Sequence, residues 1–209
     1  MMTNTGHFIT FEGGDGAGKS TLIETIHRYL ETLGESALKT RAPGGTKIGE
    51  TIRSLLLTKG DTPLSERGEL FLFLADRAQH VDEVIKPALA KGQIVLCDRY
   101  NDSTVAYQGT ARGFDPIWTR SLCDFATNNL QPTLTLYLDI DPKLGLSRVA
   151  NTGIAKDRIE SEALSFHEKI RESFHAIARS EPKRFRIIDA SQTPDAVFQS
   201  ALKILHDVL

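Results

Sequence analysis

Residues 13 to 20 read GGDGAGKS, a fit to the pattern G-x4-G-K-[ST]. Four glycines in eight residues exclude a regular helix or strand there, because glycine serves where a backbone must turn tightly or approach a ligand. The flanks narrow the choice further. An apolar run, Phe8 to Phe11, leads in, and Leu22, Ile26, Tyr29, Leu30 and Leu33 follow at helical spacing, so the chain is predicted to pass from strand to loop to helix. A chance match in a chain this long has a probability of about 1% at ordinary residue frequencies. In that setting Gly13, Gly14, Asp15, Gly16, Ala17 and Gly18 form a loop whose N–H groups, with the helix N-terminus, face nucleotide phosphates. Lys19 supplies a point charge, the Ser20 hydroxyl is placed to ligate Mg2+, and Thr21 continues into the helix; MgATP is the expected ligand.

Beyond the loop, short β-rich runs alternate with longer helical patterns. HFITFE (7–12), SALKT (36–40), QIVLCD (93–98), LTLYLDI (134–140) and FRIID (185–189) read as strands, and Phe71, Leu74, Ala78, Val81 and Ile85 recur at helical spacing. The alternation predicts an α/β fold with a five-stranded parallel sheet flanked by helices. No repeat or Pro/Gly/Ser-rich linker divides the chain, so 1–209 is read as one domain. Two irregular stretches stand out. In RAPGGT (41–46), Pro43 opposes helix and Gly44-Gly45 permits close backbone approach. ANTGIAKD (150–157) reads as a mobile loop before a helix over roughly 161–180. Both follow the end of a strand or helix, where ligand loops sit.

With 25 Lys and Arg against 27 Asp and Glu, the formal net charge is -2, so no global field favours nucleic acid or an anionic membrane, and neither is expected as a partner. No apolar stretch approaches the roughly 20 residues that span a bilayer. Cys97 and Cys123 lie in apolar contexts without CxxC spacing, which suits reduced thiols and a cytoplasmic address. Six histidines, at 7, 27, 80, 167, 175 and 206, show no zinc-ligand spacing.

Several classes of protein use such a loop. Thr58-Lys59-Gly60-Asp61 matches the guanine-reading string of a GTPase, but it follows the helix-like IRSLLL with no DxxG element before it, and is read as a solvated helix end. A mechanochemical ATPase needs more domains than 209 residues hold. A small phosphotransferase remains, with its acceptor in the same domain. If that acceptor is itself a phosphate, arginines outside the loop must grip it. Arg41 and Arg99 end two separate strands at the carboxyl edge of the sheet and together suit that clamp.

At this point the residues resemble a family. EGGDGAGKST, RAPGGT, LFLFLADRAQH (70–80), DRYNDSTVAYQG (98–109) and DRIE (157–160), in this order and spacing, are similar to bacterial thymidylate kinase over about residues 7 to 190. The resemblance implies a three-layer P-loop kinase fold with a short lid at about 148–160. It also implies transfer of phosphate from MgATP to dTMP, giving dTDP, by a cytoplasmic homodimer. Carried over by motif, Arg41 and Arg99 bind the dTMP phosphate, Phe73 stacks on thymine, and Arg77 bonds its carbonyl edge. An aromatic face beside an arginine donor suits a pyrimidine. Ser103 and Gln108 reach the base, Tyr107 crowds the 2′ carbon, and Asp98 organises Mg2+ directly or through water. Asp15, otherwise out of place among phosphates, accepts a hydrogen bond from the acceptor's 3′ hydroxyl.

The resemblance has departures. Gly16 stands where some members carry the arginine that stabilises the transferring phosphoryl group, so the lid must supply it beside Lys19 and Arg99. SRVANTGIAKDR offers Arg148, Arg158 and Lys156, taken in that order. Ala42 replaces the glutamate of the usual R-E-P-G-G, and DASQ (189–192) falls at the family's adenine edge. Two alternatives stay open: a kinase for another nucleoside monophosphate, and a P-loop regulator that binds nucleotide without transferring phosphate.

Overall fold

The computed structural model describes residues 6–60, 63–153, 155 and 157–208. Its centre is a parallel sheet built from β1 (Phe8–Gly13), β2 (Ala37–Arg41), β3 (Ile94–Asp98), β4 (Leu134–Asp139) and β5 (Phe185–Asp189), in the order β2-β3-β1-β4-β5. Every strand lies within one residue of its predicted bounds. The three inner strands are apolar on both faces because helices cover both, as all-parallel sheets require. Ile9, Phe11, Leu96, Leu136, Leu138 and Ile188 meet Leu22, Ile26 and Leu30 of α1 (Lys19–Thr32) and Val197 and Ala201 of the C-terminal helix (Pro194–Leu205). From the other face Phe8, Val95 and Cys97 pack with Val81, Ile85 and Tyr100, while Tyr137 and Phe185 pack with Phe174.

Between β2 and β3 run α2 (Lys47–Leu57), α3 (Glu66–His80) and α4 (Lys86–Ala90), α3 and α4 being joined through a wide i→i+5 turn at Val81–Ile85. Thr58 closes α2, so Thr58–Gly60 does lie just past a helix end; Asp61 is outside the described residues. After β3, α5 (Asn101–Thr104) opens into a second wide turn, Val105–Ala111, then α6 (Pro116–Ala126). α7 (Pro142–Ala150) follows β4, and the predicted helix near 161–180 is α8 (Leu164–Ser180), leaving Pro194–Leu205 as α9. No helix among the described residues is long and apolar enough to cross a membrane.

The topology positions the site. β3 lies between β1 and β2, and β4 lies on the other side of β1, so connections diverge from β1 and a crevice opens at the carboxyl ends. Arg41 is registered with Asp98, and Asp98 with Phe11. The residues that follow these three adjacent strands therefore meet.

Candidate active site

α1 starts at Lys19, and its N-cap, Gly18, has a left-handed backbone (φ 88°) and no side-chain cap. The first N–H groups of the helix thus lack internal partners and are offered to an anion. Gly16 sits in a tighter place. Its φ is 71°, and a Cβ there would fall 2.1 Å from Gly145 O, while a Cβ on Gly145 would fall 2.3 Å from Asp15 O. The backbone of α7 presses directly on the loop, which excludes an arginine at position 16 in this chain. Lys19 Nζ donates to Gly13 O (3.1 Å) and Gly14 O (3.0 Å). Burial, with Arg99 nearby, pulls its ammonium down to about 8.

A cavity of about 310 Å3 brings together Asp15, Lys19, Ser20, Arg41, Phe73, Arg77, Asp98, Arg99, Ser103, Tyr107 and Gln108. Phe73 and Arg77 share one face of α3, four residues apart. Arg77 is 1% exposed, yet its guanidinium makes one hydrogen bond, Nη2 to Tyr100 O at 3.0 Å. Its Nε and Nη1 have none. Buried donors are normally paired; Nη1 stands 3.7 Å from Asp76 Oδ2, an ion pair without a hydrogen bond, and Arg77 lines the cavity with Phe73 and Gln108. Arg99, at φ 68°, holds a left-handed conformation unusual for a side-chain-bearing residue. It donates to Gly13 O (2.9 Å), Ser103 Oγ (3.2 Å) and Asp15 Oδ1 (2.9 Å), and lies over the Tyr107 ring at 5.0 Å. Asp15 is therefore tolerated in an anion loop because Arg99 faces it; its Oδ2 is buried without a hydrogen bond.

Other walls were not foreseen. Arg53 of α2 lines the cavity and donates Nη1 to Pro43 O at 2.9 Å. Arg41 forms a two-point ion pair with Glu50 of α2 (2.9 and 3.0 Å), so a carboxylate reaches Arg41 from the helix even though Ala42 replaces the usual glutamate. Glu12 is fully buried and accepts from Tyr100 N (2.7 Å), Ser103 N (3.3 Å) and Ser103 Oγ (2.5 Å). Burial, reinforced by Asp102, pushes its carboxyl up to about 7. The Ser103 hydroxyl, read as reaching the base, is thus shared between Glu12 and Arg99.

The thymidylate kinase family model matches residues 11–201. Thymidylate kinase of Desulfovibrio desulfuricans is 53% identical over 196 residues, 91% of this chain and 90% of that one. The Bacillus pumilus enzyme is 42% identical over 206 residues, 98% and 97% of the two chains. The crystal structure of thymidylate kinase from Ehrlichia chaffeensis superposes with a TM-score of 0.77 at 32% identity, covering 96% of this chain and 98% of that one. This chain belongs to the thymidylate kinase family. That family has the P-loop kinase fold and phosphorylates dTMP to dTDP with ATP and Mg2+.

For a thymidylate kinase the loop and its surroundings fit MgATP. Gly14 and Gly18 leave open space where a Cβ would stand. Ser20 Oγ donates to Asp98 Oδ2 at 3.1 Å, and Asp98 Oδ1 is buried without a hydrogen bond, so an oxygen pair suited to a hard divalent cation stands at the loop. Two predicted cations lie elsewhere. Arg148 is on the far side of the loop, donating to Ala190 O (2.9 Å), Ser191 O (3.3 Å) and Gly16 O (3.5 Å). It borders a second cavity of about 340 Å3 with Gly18, Thr21 and Gln192. Arg158 turns toward Leu56 O (2.9 Å) and Glu69 Oε2 (2.5 Å). Lys156 lies outside the described residues.

Proposed function

We propose that the cavity at the carboxyl ends of β1, β2 and β3 is the dTMP site, and that the chain transfers the γ-phosphoryl group of MgATP to dTMP. The observation that carries this is Arg77, a buried guanidinium whose Nε and Nη1 make no hydrogen bond and which lines one cavity with the aromatic Phe73 and the buried amide of Gln108. A pyrimidine ring with carbonyl acceptors satisfies all three at once. Arg41, Arg53 and Arg99 then hold the acceptor phosphate, and Asp15 Oδ2 takes the sugar hydroxyl. The acceptor oxygen bonds to the γ-phosphorus as the bond to the ADP oxygen breaks. Since that oxygen is already anionic, no strong base is needed, and alignment with charge stabilisation supplies the rate. Bound Mg2+ supplies charge neutralisation between the phosphates; Ser20 and Asp98 would hold it. Arg148 belongs to the nucleoside side of ATP in this reading, which leaves Lys19 and Arg99 as the cations nearest the transferred group. Chromatography of a MgATP and dTMP incubation tests this: dTDP equal to the ADP formed supports it, and no dTDP above the enzyme-free control supports the regulator instead.

The chain is proposed to act as a single cytoplasmic domain with its lid at about 148–160, and to form a homodimer. α3 and α6 pack through Leu70, Leu74 and Cys123. Phe71 of α3 and Ile117 and Phe125 of α6 are 60%, 80% and 86% exposed, apolar side chains that a second copy of the chain would cover. Sedimentation should give a dimer for the native chain and a monomer for Phe125→Glu.

A further inference from the structure

Glu69 lies one helical turn before Phe73 and two before Arg77, on the same stripe of α3, and is almost wholly buried. The carboxylate gathers donors from two other parts of the chain. Gln108 Nε2 reaches Oε1 at 2.7 Å, and Arg112 reaches both oxygens, at 3.1 and 3.2 Å. From the lid side Arg158 Nη2 reaches Oε2 at 2.5 Å. Burial alone raises this carboxyl, but the hydrogen bonds from Arg112 and Gln108, with Arg158, outweigh it and hold it below the usual range.

The lid segment is fixed at several further points. Arg158 donates Nε to Leu56 O (2.9 Å) and its backbone N–H to Leu57 O (3.2 Å). Arg112 Nη1 bonds Glu162 Oε1 at 2.6 Å. Asp157 Oδ1 accepts the N–H groups of Ile159 and Glu160, both at 2.8 Å, so 157–160 is a closed turn. Asp157, Ile159 and Glu160 line the acceptor cavity, as Gln108 does. One carboxylate thus joins two walls that are far apart in sequence.

We propose that Glu69 is a positioning residue that ties the amide of Gln108 and the lid arginine Arg158 to one point, so that the wall meeting the acceptor base and the wall formed by 157–160 hold a common register. A purely structural ion pair would affect stability without selecting one substrate. A register device acts on the acceptor and leaves ATP alone. The inference rests on the dTMP reading of the cavity.

Steady-state kinetics of the full chain, varying dTMP and MgATP separately, test it. Glu69→Gln is expected to raise KM for dTMP at least tenfold with KM for ATP within twofold. Gln108→Ala and Arg158→Ala are expected to be coupled on native Glu69. Their combined effect on dTMP KM should fall at least threefold short of the product of the single effects, and should equal that product in the Glu69→Gln background. A dTMP KM within twofold of native, a parallel rise in ATP KM, or simple multiplication on native Glu69 overturns the proposal. If Glu69→Gln does not fold, the cycle on native Glu69 decides alone. A native chain that makes no dTDP overturns the dTMP reading itself, a failure visible before any variant is compared.

Discussion

Arg77→Met tests base recognition and the buried Arg77–Asp76 pair together. Methionine keeps most of the stem and removes every donor. In the folded chain the guanidinium makes one hydrogen bond, to Tyr100 O; Nε and Nη1 have none, but Nη1 stands 3.7 Å from Asp76 Oδ2, an ion pair between two buried groups. The bond to Tyr100 stabilises by about 1 kcal/mol, whereas each unpaired buried donor costs about 1–3 kcal/mol. The variant also leaves the buried Asp76 carboxylate without its cation, which costs about 3–5 kcal/mol, so a net loss of about 2 kcal/mol in urea is expected. If Arg77 bonds the base as proposed, losing its charge-assisted bonds is expected to cost about 3 kcal/mol, or roughly 150-fold in kcat/KM for dTMP. A coupled ADP-release assay with each substrate varied reads the kinetics, and KM for ATP should stay within twofold. Retained kcat/KM within threefold, or a variant as stable as the native chain, would refute the reasoning.

Asp15→Ala should raise KM for dTMP or lower kcat while ATP binding is nearly retained, because Asp15 bonds Arg99 and faces the acceptor cavity; unchanged steady-state kinetics would sink that role. Gly145→Ala puts a Cβ 2.3 Å from Asp15 O, so the loop must shift; a drop in ATP affinity of about tenfold and a loss of about 2 kcal/mol of stability are expected, and calorimetric titration showing native ATP affinity would contradict the close packing. Lys19 gives a pH signature. Its folded value, about 8, lies below the ordinary 10.5, so in the free protein the charge is lost as pH rises through about 8. The unfolded chain holds the extra proton between these values, so stability should rise with pH across that window. Over the same range kcat/KM for ATP should fall, while kcat at saturating ATP, where phosphates hold the ammonium charged, should fall only at higher pH. Profiles from pH 6 to 10 check this, and a flat kcat/KM for ATP to pH 9 would count against it.

The strands were legible because β1, β3 and β4 are apolar on both faces and end in Gly or Asp, a pattern local sequence carries in full. The loop was legible because its chemistry lies in eight consecutive residues. Arg53 was not, since in IRSLLL it resembles any charge on an amphipathic helix, and only the packing of α2 aims it inward. The spacing of four from Glu69 to Phe73 to Arg77 was available in the sequence and marks a single polar-aromatic stripe. Tyr107 and Gln108 lie in a wide turn, which re-aims side chains in a way helical periodicity does not anticipate. Arg148 and Arg158 could be counted along the lid but not directed, because long side chains go to acceptors remote in sequence: Ala190 O for the first, Glu69 for the second. The Gly16–Gly145 contact likewise joins residues that no local pattern relates.

The most direct test of the acceptor site is kcat/KM for the native chain across a panel of monophosphates, dTMP, CMP and AMP among them, with MgATP and chromatographic detection of the diphosphate. Phe73, Arg77 and Gln108 around one cavity predict dTMP as the preferred acceptor, with one ADP formed per dTDP. A higher kcat/KM for CMP or AMP, or ADP formed without dTDP, would contradict the assignment.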